Sequence, residues 1–207
     1  MVETSFEDHV FVNCPFDADY SEMFRAIIFA ITHCGFYVRC ALEESDSSVN
    51  RLAKIMDIIS ECRYSIHDIS RTEIDPTTAL PRFNMPLELG IFIGAKIFGS
   101  EGHQMKQCLI LDREPYRYQK YISDIAGQDI EYHNNDVRTV IRHVRNWLAM
   151  KSGDRRLCSG SIIYNDYLRY QAELPELCQD FRLDHNELEF IDINNLVSEW
   201  CHLKNVS

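Results

Sequence analysis

The chain of 207 residues carries 32 acidic against 21 basic side chains, for a net charge of −11, and 45% of its residues are hydrophobic. The chain can therefore bury one substantial core, and its charge argues against a surface that grips nucleic acid by neutralising phosphates, leaving room for a local nucleotide pocket. The opening VETSFEDH lacks the basic flank and apolar run of a signal peptide, and no stretch nears the roughly 18 apolar residues of a membrane span, so a cytoplasmic protein away from the membrane is expected.

In chain order, HVFVNC (9–14) reads as a strand and 19–35 as a helix, with Met23, Phe24, Ile27, Ile28 and Ile31 on one face and Gly35 as its stop. FYVRCAL (36–42) is a second strand, and 47–62 a helix whose Leu52, Ile55, Ile58 and Ile59 share a face. YSIHDI (64–69) follows, then the turn-rich SRTEIDPTTALPRF (70–83), a helix NMPLELGIFIGAK (84–96) and the strand QCLILD (107–112). A polar segment (113–128) leads to a short strand DIEYH (129–133) and a helix at 136–150.

This alternation predicts an α/β fold: a flavodoxin-like, doubly wound, five-stranded parallel sheet, for which the order 2-1-3-4-5 is the suited one, over residues 1–150. KSGDRRLCSG (151–160) reads as a linker, and 151–207 as a helical C-terminal extension too short to stand alone, interrupted at Pro175. Its aromatic residues Tyr164, Tyr167, Tyr170, Phe181, Phe190 and Trp200 read as core or subunit contact. Eight cysteines without a CxxC pair suggest buried free thiols in a reducing compartment. Eight histidines without HExxH or another ligand spacing give no metal site.

In a sheet of this order, ligands bind beyond the carboxyl ends of the strands, where the order reverses between the first and third. Three segments converge there: 13–17, Asp68 and 84–88. Asp17 or Asp19 is equally suited to capping the first helix, and Asp68 to closing the turn after its strand. Glu88 lies three residues after Met85, which cannot form a capping box, so a first-turn charge favoured by the helix dipole is expected, biased toward its ionised form. Gly90 and Gly94 each cost about 1 kcal/mol relative to alanine, which predicts close approach of a backbone or ligand. Paired carboxylates at such a rim suit an oxocarbenium-like centre, as in cleavage of an N-glycosidic bond.

At VFVNCPFD, HDIS and above all NMPLELGIFIGAK, the chain resembles the nucleoside 2-deoxyribosyltransferase-like family, related in fold to Toll/interleukin-1 receptor (TIR) domains. The resemblance covers roughly residues 9–148 and implies Glu88 as the catalytic glutamate and Asp68 as the residue that positions the substrate's ribose. Asn13, Pro15, Phe16, Asp17 and Asn84 are expected to line the substrate site, and Ser123, Asp124 and Asp129, with Tyr116, Tyr118 and Tyr121 nearby, to cover it; a plain surface connection is the competing reading of that last segment. The first loop reads NCPFD where the transferases have a glycine-containing loop, which shifts the expected substrate to a larger nucleotide such as NAD, with no cofactor.

The implied function is an NAD or nucleotide hydrolase or ribosyl transferase, acting as the effector of a bacterial antiphage or toxin system. The alternative is a catalytically silent module that senses a nucleotide or binds a partner in a defence complex. Expected partners are a small nucleotide and either a second copy of the chain or a defence-system protein.

Overall fold

The computed structural model describes residues 5–43, 46–74, 79–151, 153 and 156–204. Positions 1–4 of the acidic opening, 75–78 of the turn-rich insert and 152, 154 and 155 of the linker lie outside the described residues. Five strands, β1 (His9–Asn13), β2 (Tyr37–Cys40), β3 (Tyr64–Asp68), β4 (Gln107–Asp112) and β5 (Ile130–Tyr132), form one sheet in the order β2-β1-β3-β4-β5. The ladders from β1 through β5 run parallel, with Asn13 beside His67 and His67 beside Ile110. The fold is thus flavodoxin-like, as the alternation predicts. Every residue of β1 and β3 is buried, because a central parallel strand is covered on both faces, and this burial extends to the polar His9, Asn13, Ser65, His67 and Asp68.

Seven α-helices are found among the described residues: α1 (Ser21–His33), α2 (Arg51–Ser60), α3 (Asn84–Phe98), α4 (Glu101–Gln104), α5 (Val137–Ala149), α6 (Gly160–Asp180) and α7 (Phe190–Leu203). Their starts follow local capping chemistry. The Tyr20 amide is taken by both the carbonyl and the carboxylate of Asp17, which winds a 3-10 turn over Ala18–Tyr20 before α1. Asn50 accepts from the Leu52 and Ala53 amides and starts α2 four residues later than the sequence suggests. Pro175 does not interrupt α6 but lies within it, exposed, while Tyr170, Leu174, Leu177 and Cys178 continue a buried stripe past it. That packing outweighs the roughly 3 kcal/mol local cost of an interior proline.

The chain forms two compact units. The first comprises Met1–Tyr20 and Arg39–Asn135, and so holds most of the sheet with α2, α3 and α4. Its core joins Phe11, Ile55, Ile58, Ile59 and Cys62 to Phe92 of α3, while Ile69, Met85, Leu89, Ile110 and Tyr118 form a neighbouring cluster. Lys106, fully buried, donates to the Ile59 and Cys62 carbonyls, so a cation closes the C-terminal end of α2 where the helix dipole favours one.

The second unit comprises Ser21–Val38 and Asp136–Ser207, with α1, α5, α6 and α7. Phe29 is its hub, with ring centroids 5.5, 5.4 and 5.5 Å from Tyr167, Tyr170 and Trp200. Inside this unit His33 Nε2 lies 3.1 Å from Asp166, tying α1 to α6. Tyr167, Tyr170, Phe190 and Trp200 are core residues, and Phe181 is half exposed. All eight cysteines are free, six of them buried, with Cys108 partly buried and Cys158 exposed. No helix among the described residues is long and apolar enough to cross a membrane.

Candidate functional site

The carboxyl ends of β1 and β3 and the start of α3 meet in the first unit, and a single side chain joins them. Asn13, buried at the end of β1, uses its Nδ2 group twice, donating at 2.9 Å to the Met85 carbonyl in the first turn of α3 and at 2.9 Å to His67 Nδ1 on β3. His67 is neutral because full burial pulls its pKa down to about 3, and its accepting Nδ1 leaves the proton on Nε2. The His67 ring lies edge-on to Phe92 of α3, at 5.4 Å, so the α3 side of β3 is the His67 side. Successive strand residues alternate faces, so Asp68 points to the opposite side of the sheet.

Glu88 projects from α3 three residues after Met85, on the helix's buried side. It is the fifth residue of the helix rather than a first-turn charge, because α3 starts at Asn84 with Pro86 as its third residue. The helix dipole is therefore not what sets its ionisation. Burial pushes the Glu88 carboxyl up to about 7, with the charge of Arg51 at the start of α2 pulling the other way. Only 8% of Glu88 is exposed, yet no hydrogen bond or ion pair holds its carboxylate among the described residues. The two glycines also differ from expectation: a Cβ at Gly90 or Gly94 would meet nothing within 4 Å, so neither marks a close approach within the chain.

Asp68 has the opposite character. It is fully buried, and its oxygens are taken by the Tyr20 hydroxyl, by the Ser70 amide at 2.8 Å and by His133 Nε2 at 2.9 Å, the last at an oblique angle. The Asn135 amide donates to His133 Nδ1, which turns Nε2 and its hydrogen toward Asp68. Burial alone would raise the Asp68 pKa, but the donors from His133, Ser70 and Tyr20 hold it below the usual carboxylate range. The turn-closing role foreseen for Asp68 is present in the Ser70 contact; Tyr20 and His133 add two further locks.

Cys14 lies within electrostatic reach of both carboxylates: burial first, then Asp68, Cys40, Glu88 and Asp17, pushes its thiol well above the ordinary range. Asp17 is partly exposed and ion-paired with Arg71 at 3.0 Å; Pro15 is buried and Phe16 exposed. Asn84 is exposed at the first turn of α3.

Compared with protein-family models, curated proteins and solved structures, the chain matches none of them. What the site does must be read from its own chemistry.

Ser123, Asp124 and Asp129 are exposed in the connection from β4 to β5, and no hydrogen bond or ion pair joins them to Glu88 or Asp68 among the described residues. In that connection Tyr118 is buried in the cluster around Leu89, whereas Tyr116 is 72% exposed. The Tyr121 hydroxyl lies 2.9 Å from the Ile69 carbonyl and 3.0 Å from an Asp112 oxygen, its one proton facing both acceptors, and Arg117 pairs with Asp112 at 2.7 Å. The segment is thus a surface connection bolted to the ends of β3 and β4.

Sequence reasoning missed four residues here. Tyr20 and His133 each stand at the carboxyl end of the sheet, one before the first helix and one directly after β5, and both were open to discovery by asking what else ends at that rim. Cys14 lies inside the segment 13–17 already placed at the rim, whereas Arg51 carried no such signal. Among the described residues, no group of three or more His, Cys, Asp or Glu side chains is set to hold a metal ion.

Proposed function

We propose that the protein breaks an N-glycosidic bond in NAD or a related nucleotide, with Glu88 as the reacting carboxylate. The observation that carries this reading is that Glu88 is almost fully buried, is pushed up to about 7, and is held by no hydrogen bond or ion pair among the described residues. A carboxylate held by no hydrogen bond or ion pair is free to respond to a ligand. A cationic leaving group, such as the nicotinamide of NAD, favours its ionised form on binding.

In the reaction, the bond from C1 of the ribose to the base nitrogen breaks with its electron pair leaving on the base. The Glu88 carboxylate meets the positive charge that develops on C1. Water then bonds to C1 and releases its proton. Asp68, enclosed by three donors, holds the rim, and Asn13 sets the position of α3 one turn before Glu88.

The test is a mass-spectrometric screen of purified protein with NAD, nucleosides and nucleotides, read as release of free base. Absence of release from all of them, or full activity in Glu88→Gln, overturns the proposal. A second reading rests on the enclosure of Asp68: glycosidic cleavage commonly uses two carboxylates, and Glu88 alone suits a module that binds a nucleotide without turnover. A rise in thermal midpoint with nucleotide but no product distinguishes it.

Arg51 supplies a pH test. Its charge lowers the Glu88 pKa, so Arg51→Met is expected to move the rising limb of kcat/KM against pH upward from about 7, by up to about one unit. An unshifted limb in the variant contradicts the assignment of that limb to Glu88.

A further inference from the structure

Helix α3 is apolar on two opposite sides. Met85, Leu89 and Phe92, with Glu88, form its buried side. On the other side stand Phe83 and Leu87, each 54% exposed, Ile97 at 59% and Phe98 at 87%, separated by Gly90 and Gly94. At 100° per residue these six positions fall in a band about 100° wide, directly opposite the buried one. An ordinary surface helix carries charge on its outer face, and this band has none.

We infer that this outer face is covered by a second copy of the chain, α3 crossing α3 about a two-fold axis. Three observations favour that occupant. The four side chains expose on the order of 500 Å² of apolar surface, which is the apolar share of the roughly 800 Å² that each protomer gives to a standard homodimer interface. The band is self-complementary, since Gly90 and Gly94 are equally spaced about Phe92, as are Leu87 and Ile97. An antiparallel pair therefore sets Leu87 against the partner's Ile97 and brings the glycines of both helices together at the crossing, as an isologous contact requires. Finally, the net charge of −11 opposes association wherever acidic side chains meet, and two copies joined through an uncharged band do not bring such residues face to face.

The open space outside Gly90 and Gly94 is the hollow that the partner's helix fills, allowing the close backbone approach that the sequence suggested and the isolated chain does not contain. The inference stands independently of the proposed reaction, although it places Glu88 on the helix that pairs.

Sedimentation equilibrium of the full chain at micromolar concentration tests it. The natural sequence is expected to be a dimer, the double variant Leu87→Lys with Ile97→Lys a monomer, and Ile162→Lys, at an exposed position on α6, a dimer like the parent. Gly90→Leu fills the hollow at a position with room for a side chain, so it is expected to keep its far-ultraviolet circular dichroism while weakening association by at least about tenfold. A monomeric parent, or a dimer that survives both the charged pair and Gly90→Leu, overturns the inference.

Discussion

Replacing Glu88 with glutamine is expected to lower base release by about a thousandfold or more and, at the same time, to make the protein more stable above neutral pH. Both effects come from one property. The Glu88 carboxyl is buried without a partner and is pushed from 4.5 up to about 7. In the unfolded chain it loses its proton near 4.5, whereas in the folded chain it keeps it until about 7. Between those values the folded state holds more protons, so stability falls as pH rises through the window and stays low above it.

The cost of the ionised form is about 3 kcal/mol, from 1.36 kcal/mol per pKa unit over the rise from 4.5 to about 7. Glutamine has the shape of the protonated acid and never ionises. Denaturant unfolding at pH 8 should therefore show a gain of about 3 kcal/mol for Glu88→Gln, shrinking to nothing near pH 4. A loss of activity with no gain at pH 8 means that Glu88 is held by contacts, and the reactive assignment falls. A residue that matters only to packing gives the reverse pattern, with stability lost and activity falling only as the folded fraction falls.

The sheet was legible in the sequence because its signals are local and redundant. The apolar run Val10–Val12 and the leucine- and isoleucine-rich QCLILD read as strands, and helix-length segments between strands demand parallel crossovers. The rim was legible for a related reason: strand order alone decides where ligand crevices form, which brought Asn13 and the start of α3 together before any contact was known.

The errors lie where one turn of helix decides the chemistry. Helix α3 starts at Asn84 as the sequence suggests, so Glu88 is its fifth residue and lies past the first turn, where the helix dipole has fallen off. The glycines were read as marks of a close approach because their cost is visible in sequence, while the face they occupy is visible only in three dimensions. Face also separates the two carboxylates. His67 and Asp68 are neighbours in the chain, yet the pleat sends one toward α3 and the other away, so a glutamate on α3 and an aspartate on β3 share an end of the sheet without sharing a side.

Asp68→Ala is expected to be the most damaging single change at this rim, lowering stability by about 3–5 kcal/mol. The carboxylate is fully buried and serves three donors that have no water to turn to: the Tyr20 hydroxyl ahead of α1, the Ser70 amide just past β3 and His133 beyond β5. Alanine leaves all three unpaired and opens a small cavity. The pH dependence separates this role from loss of packing alone. Because the Asp68 pKa is held below its ordinary 3.8, its ionised form contributes stability that is present above that value and is lost as pH falls through the lower folded value. Asp68→Asn keeps the volume and removes the titration, so the gap between parent and variant in denaturant unfolding should be widest at neutral pH and close progressively in acid. A gap of constant size down to the acid limit means that shape rather than charge is what the rim requires of Asp68, and then Tyr20 and His133 are neighbours of the carboxylate and not its locks.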